Sequence, residues 1–134
     1  MNNVTMSRIA TIAFALVIII FGVTHFVNTQ EMRNYVPSFI PGGGFWVYIT
    51  GFFLLASGIA LLVNWQVRLA ALLLTALLLC FALFVHLPRT INGFESGVGL
   101  MLKDIGLAAA ALLIASRAVT EQRPLVGARE RTSR

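Results

Sequence analysis

Residues 69–87 read LAALLLTALLLCFALFVHL, a run without Asp, Glu, Lys or Arg. As a helix rising 1.5 Å per residue it would extend for about 28 Å, close to the roughly 30 Å hydrocarbon core of a bilayer. Pro88 follows and is read as its stop, because proline lacks the N–H that the next turn requires. Asn64 to Arg68 precede the run as a tight turn, and before that turn lies a second apolar run, Phe45 to Val63. Further upstream, Pro37, Pro41 and the triple Gly42-Gly43-Gly44 interrupt any continuous helix, so this segment is read as a loop. The chain opens on a third run, Ile9 to Val27. A signal peptide also places a basic residue ahead of an apolar stretch, but this run is too long and no small-x-small cleavage site follows it. Gly97 to Ala118 completes the set, although Lys103 and Asp104 lie inside it. The expected domain is 1–118, an all-α four-helix membrane bundle with spans near 9–27, 45–63, 69–87 and 97–118. An Arg-rich polar tail, 119–134, is read as disordered.

Composition agrees. Only 11% of the 134 residues are charged and 58% are hydrophobic, against about 25% charged in a soluble domain. So few charges cannot solvate the surface of a 14.6 kDa globule, which excludes a soluble enzyme. Cys80 is the single cysteine, so there is no internal disulfide, no CxxC pair and no cysteine-built zinc site. The net charge of +5 is concentrated near the C-terminus, where the positive-inside rule accounts for it without a nucleic-acid partner.

Four spans put both termini on one side. That side would hold Arg8, Arg68, Arg117 and the four arginines of the tail, against Arg33, Arg89 and Lys103 on the other. Both termini are therefore expected in the cytoplasm, with the protein in the inner (plasma) membrane. Trp46, Tyr48 and Trp65 fall at span ends, where aromatic side chains anchor at the interface.

Helices in lipid associate through small residues and scattered polar contacts. The expected inward stripes are Ala15, Ile18, Gly22 and His25 in the first span, and Thr50, Gly51, Ser57, Gly58 and Asn64 in the second. The third offers Thr75, Leu79, Ala82 and His86, and the fourth Asp104, Ala108, Ala111 and Ala115, flanked by Lys103, Gly106 and Ala110. Gly22, Gly51, Gly58 and Gly106 are read as helix-packing positions, with Phe14, Phe52 and Leu74 facing lipid. Cys80 is read as a buried, inert packing thiol.

These stripes carry four ionisable groups to one depth. His25 and His86 lie near the outer ends of outward-running spans, and Lys103 and Asp104 in the first turns of the fourth. Charges at membrane depth are costly and usually pair inside the bundle. With Arg89 in the loop above, they form a candidate ligand-binding pocket capped by the loop Tyr35 to Gly44. Plainer readings stand beside it: interfacial histidines bonded to backbone, a snorkelling Lys103, and a structural Lys103–Asp104 pair. Two His and one Asp suit several divalent metals, but no spacing here demands one and no metal site is assigned. No Ser-His-Asp set, P-loop or dinucleotide fingerprint appears.

An ordered set of short pieces then resembles a family. It comprises His25-Phe26, Val36-Pro37, Ile40-Pro41, Phe45-Trp46-Val47-Tyr48, Thr50-Gly51 and Ser57-Gly58-Ile59-Ala60-Leu61-Leu62. His86-Leu87-Pro88-Arg89 and Lys103-Asp104-Ile105-Gly106-Leu107 follow. Together, across Ile9 to Ala118, they are similar to the DoxX family of small four-helix bacterial membrane proteins. The resemblance implies kinship with a subunit of an archaeal thiosulfate:quinone oxidoreductase, with proteins of membrane redox and oxidative-stress complexes and, distantly, with animal proteins assisting acetylcholine-receptor assembly. Many relatives carry a Glu shortly after the Thr-Gly pair, where this chain has Phe52-Phe53-Leu54-Leu55, which weakens the case for inherited catalysis.

The leading expectation is an accessory or quinone-binding module of a membrane redox system, without independent catalysis. Its cofactor would be a quinone or another lipophilic small molecule. The alternative is a non-catalytic assembly protein working through helix contacts of Gly51, Ala56, Gly58 and Ala60 with a membrane partner or a second copy. A transporter or channel ranks third, since the chain is small and has no discontinuous mid-span helix.

Overall fold

The computed structural model describes the backbone of residues 2–132 and the side chains of residues 2–118. Four helices are long and apolar enough to cross a membrane: Asn3–Val27, Gly43–Leu62, Val67–Ile91 and Ser96–Ala118. No strand occurs among the described residues. The first helix, α1 (Asn3–Val27), begins before the apolar run because Asn2 caps it, its Oδ1 accepting from the Thr5 N–H at 2.8 Å. A short helix α2 (Thr29–Met32) and a 3-10 turn, Arg33–Tyr35, lead into the Pro/Gly loop. The next helix, α3 (Gly43–Leu62), starts at the triple glycine, where Gly42 takes the left-handed φ of +79°. Trp46 Nε1 donates to the Pro41 carbonyl across this loop.

The turn to α4 (Val67–Cys80) is built from Asn64 and Gln66, both with positive φ. Pro88 does not end the third span. Phe81–His86 forms a π-helical segment and α5 (Leu87–Ile91) continues beyond it. The Leu87 N–H bonds to the Ala82 carbonyl five residues back. This wider turn, placed just before the proline, relieves the clash and the missing donor that would break a regular helix. The last helix, α6 (Ser96–Thr132), follows a turn at Gly93. The backbone of α6 runs on to Thr132, through most of the stretch expected as a disordered tail, while the side chains of 119–134 lie outside the described residues.

Packing divides the bundle into pairs. α1 lies along α3, α4 lies along α6, and the two pairs join mainly along α3 and α4. The core is Ala15, Ile18, Leu54, Leu61, Ala71, Leu74, Leu78, Ala108 and Ala111 with their neighbours. In α1 Ala15, Ile18 and Gly22 are buried and His25 half-buried, and in α6 Asp104, Ala108, Ala111 and Ala115 are buried as expected, while Gly106 is exposed. In α4 the buried face is Ala70, Ala71, Leu74 and Leu78, one step from the stripe drawn through Leu79. Leu74 is therefore core rather than lipid-facing, and Phe14 packs against the core. Phe52 does face outward at 62% exposed. Cys80 is exposed on the bundle surface rather than buried. These shifts share one cause: leucine fills both the inner and the outer face, so the sequence carries little contrast between them.

Candidate functional site

At the end of the bundle away from the termini, the π segment brings His86 against the first turns of α6. Ala82 and His86, four apart and so on one side of the helix, both lie on the buried face. Asp104 is 1% exposed and sits between His86 and Lys103. His86 Nε2 lies 3.1 Å from its Oδ2 and Lys103 Nζ 3.1 Å from its Oδ1. The His86 contact is close but lacks the alignment of a hydrogen bond, and Asp104 Oδ2 has no hydrogen-bond partner. The other ring nitrogen, His86 Nδ1, is also buried and unpartnered. Buried polar atoms are nearly always satisfied, so the two unpartnered atoms of this pair leave unmet hydrogen-bonding capacity at the cluster.

Lys103 is partly exposed and its Nζ lies 4.5 Å from the centre of the Phe21 ring, a cation–π contact. Phe21 also ties in His25, whose Nδ1 donates to the Phe21 carbonyl at 2.7 Å. A carbonyl only accepts, so the proton of a neutral His25 sits on Nδ1 and Nε2 keeps its lone pair. The His25 ring stacks on Phe81 at 6.3 Å and lies within electrostatic reach of Lys103 and Asp104. His86, Lys103 and Asp104 thus meet directly, and His25 joins them through two phenylalanines.

Arg89 stands one turn beyond His86 and makes a different contact. Its guanidinium is sandwiched between Tyr35 at 4.1 Å and Phe94 at 4.5 Å, with Nε buried and unpartnered. Tyr35, the first residue of the expected lid, therefore reaches Arg89. The rest of that loop surrounds its own cavity of about 420 Å³, lined by Arg33, Val36, Pro37, Gly43 and neighbours and not by the ion cluster. Sequence reasoning missed Phe21, Phe81 and Phe94, and named Tyr35 only as one end of the capping loop. Phe21 lies four residues before His25, a spacing that signals a helical neighbour; Phe81 had no signal in an apolar run, nor Phe94 in a polar loop.

The glycine face of α3 is filled from within the chain. A Cβ on Gly58 would stand 2.7 Å from Ile19 Cγ1, one on Gly51 2.8 Å from Phe26, and one on Gly22 2.9 Å from the Leu55 backbone nitrogen. Gly106, expected at a helix contact, faces open space.

A family model described as a domain of unknown function, DUF8561, matches residues 14–115, a stretch that includes every residue of the ion cluster. No curated protein and no solved structure matches the chain.

Proposed function

The chain belongs to the DUF8561 family of domains of unknown function, and we propose that it is a multi-pass inner-membrane protein binding a quinone-like molecule at the His86–Asp104–Lys103 cluster. Both termini face the cytoplasm in this reading and the cluster lies in the outer leaflet. One observation carries it: a buried histidine held against a buried carboxylate with its second ring nitrogen unpartnered. With Nε2 facing Asp104, a neutral His86 presents a lone pair at Nδ1 and an imidazolium presents an N–H there. The first accepts a proton from a hydroquinone hydroxyl; the second donates to a quinone carbonyl. Lys103 and Phe21 supply a second donor and an aromatic wall. Electrons would pass to or from a partner subunit, which makes the protein accessory rather than independently catalytic. The resemblance to DoxX proteins supports this redox setting, as the replacement of their Glu by Phe52-Phe53-Leu54-Leu55 supports the absence of chemistry of its own. An assembly role would need another face, since α1 occupies the glycines of α3.

The test is binding of decylubiquinone to the full chain in lipid nanodiscs, followed by fluorescence quenching. His86→Ala should weaken binding about tenfold or more, the loss of one buried hydrogen bond to a polar ligand, while Gly106→Ala binds as wild type. Equal binding by a His86→Ala protein with wild-type helix content overturns the proposal.

A further inference from the structure

The opposite end of the bundle carries a second feature that the quinone reading does not use. Because α1 pairs with α3 and α6 with α4, α1 and α6 barely touch, and the bundle gapes between them. A groove of about 1140 Å³ opens there, walled by Phe14, Leu72, Leu113 and Ile114. That exceeds the roughly 300–1,000 Å³ of a usual small-molecule pocket. Three arginines stand at its mouth: Arg8, Arg68 and Arg117.

Their partners are telling. Arg8 is held by the carbonyls that end α3, donating to Leu61 O at 3.1 Å and Leu62 O at 2.6 Å. Arg117 donates to Ser7 Oγ at 3.2 Å. Arg68 has no hydrogen bond or ion pair among the described residues. The acids whose side chains are described, Glu31, Glu95 and Asp104, all belong to the other end. Three guanidinium groups therefore share the rim of an apolar groove with no described carboxylate to neutralise them.

We infer that this groove holds an anionic phospholipid, its phosphate between Arg68 and Arg117 and its acyl chains along Phe14, Leu72 and Leu113. Charge complementarity selects the headgroup, because a guanidinium binds phosphate oxygens in bidentate fashion and Arg8 keeps the neighbouring backbone fixed. The apolar walls select a lipid over a free anion. This end of the molecule also carries both chain termini, so the lipid would come from the leaflet that faces them.

The experiment is native mass spectrometry of the full chain in mild detergent. Dioleoylphosphatidylglycerol, or dioleoylphosphatidylcholine of matched chain length, is titrated in, with inorganic phosphate as a competitor. The expected result is retained phosphatidylglycerol in preference to phosphatidylcholine, unmoved by phosphate. Arg68→Gln and Arg117→Gln should each reduce that preference about fivefold, and Leu113→Trp, which fills the groove, should reduce occupancy by both lipids. Equal retention of the two lipids by the wild type, or a preference unchanged in the doubly substituted protein, identifies ordinary annular lipid and overturns the inference. Displacement by inorganic phosphate overturns it in favour of a free anion. The readout is independent of quinone binding at the far end, so the two proposals fail separately.

Discussion

Adding one methyl group at Gly58 tests how α1 and α3 are held together. The new Cβ would stand 2.7 Å from Ile19 Cγ1, 3.2 Å from the Ala15 carbonyl oxygen and 3.2 Å from the Ile19 nitrogen. Carbon atoms rest about 3.5–4.0 Å apart. Ile19 can turn aside, but the two backbone atoms can move only if the helices separate. Overpacking of this kind costs about 1–3 kcal/mol. Alanine also favours helix over glycine by about 0.5–1 kcal/mol, and that gain must be removed by a control. Gly106 provides it: it too lies within a helix, and its Cβ would meet nothing within 4 Å. Gly58→Ala should therefore be less stable than Gly106→Ala by about 1–3 kcal/mol, with propensity cancelled between them. The assay is reversible unfolding in mixed micelles by titration with sodium dodecyl sulfate, followed by far-ultraviolet circular dichroism. If Gly58→Ala proves as stable as Gly106→Ala, α1 and α3 do not approach through this glycine and the pairing is wrong.

Asp104→Asn should destabilise the protein by about 1–3 kcal/mol in the same assay, since it weakens the shared contact of His86 and Lys103. His86→Ala with Asp104→Asn should cost less than the two single losses summed, because the residues touch. Arg8→Ala removes two charge-assisted bonds to the last carbonyls of α3, and a loss of about 1–3 kcal/mol is expected. Cys80→Ser should lie within about 0.5 kcal/mol of wild type; a probe attached to Cys80 should be quenched by brominated lipid chains, as its exposed position requires.

Much of the site was legible because its signals are local. A charge inside an apolar run stands out, and helix length then fixes its depth, so His25, His86, Lys103 and Asp104 were assigned to one end from spacing alone. Their geometry was not. Lys103 and Asp104 are adjacent in sequence, yet which of them His86 meets depends on the rotation of α4 relative to α6. A π segment carries the chain from α4 to His86, and a proline read as a stop gave no hint of it. Arg89 shows the same limit: the loop suggested a pocket rim, and the fold gave it two aromatic faces instead.

What the sequence determined by itself is the number of apolar helices, the Pro/Gly break between the first two and the inward stripes of α1 and α6. Each follows from length against bilayer thickness or from small residues at helical spacing. Only the tertiary structure decided that α1 pairs with α3 and α4 with α6, that Leu74 is core and Cys80 surface, and that a groove rimmed by arginine lies between the pairs. In a chain where leucine covers the outer face and the core alike, hydropathy cannot rank one face above another. That choice falls to close packing, here of glycine against backbone, which exists only once two helices meet.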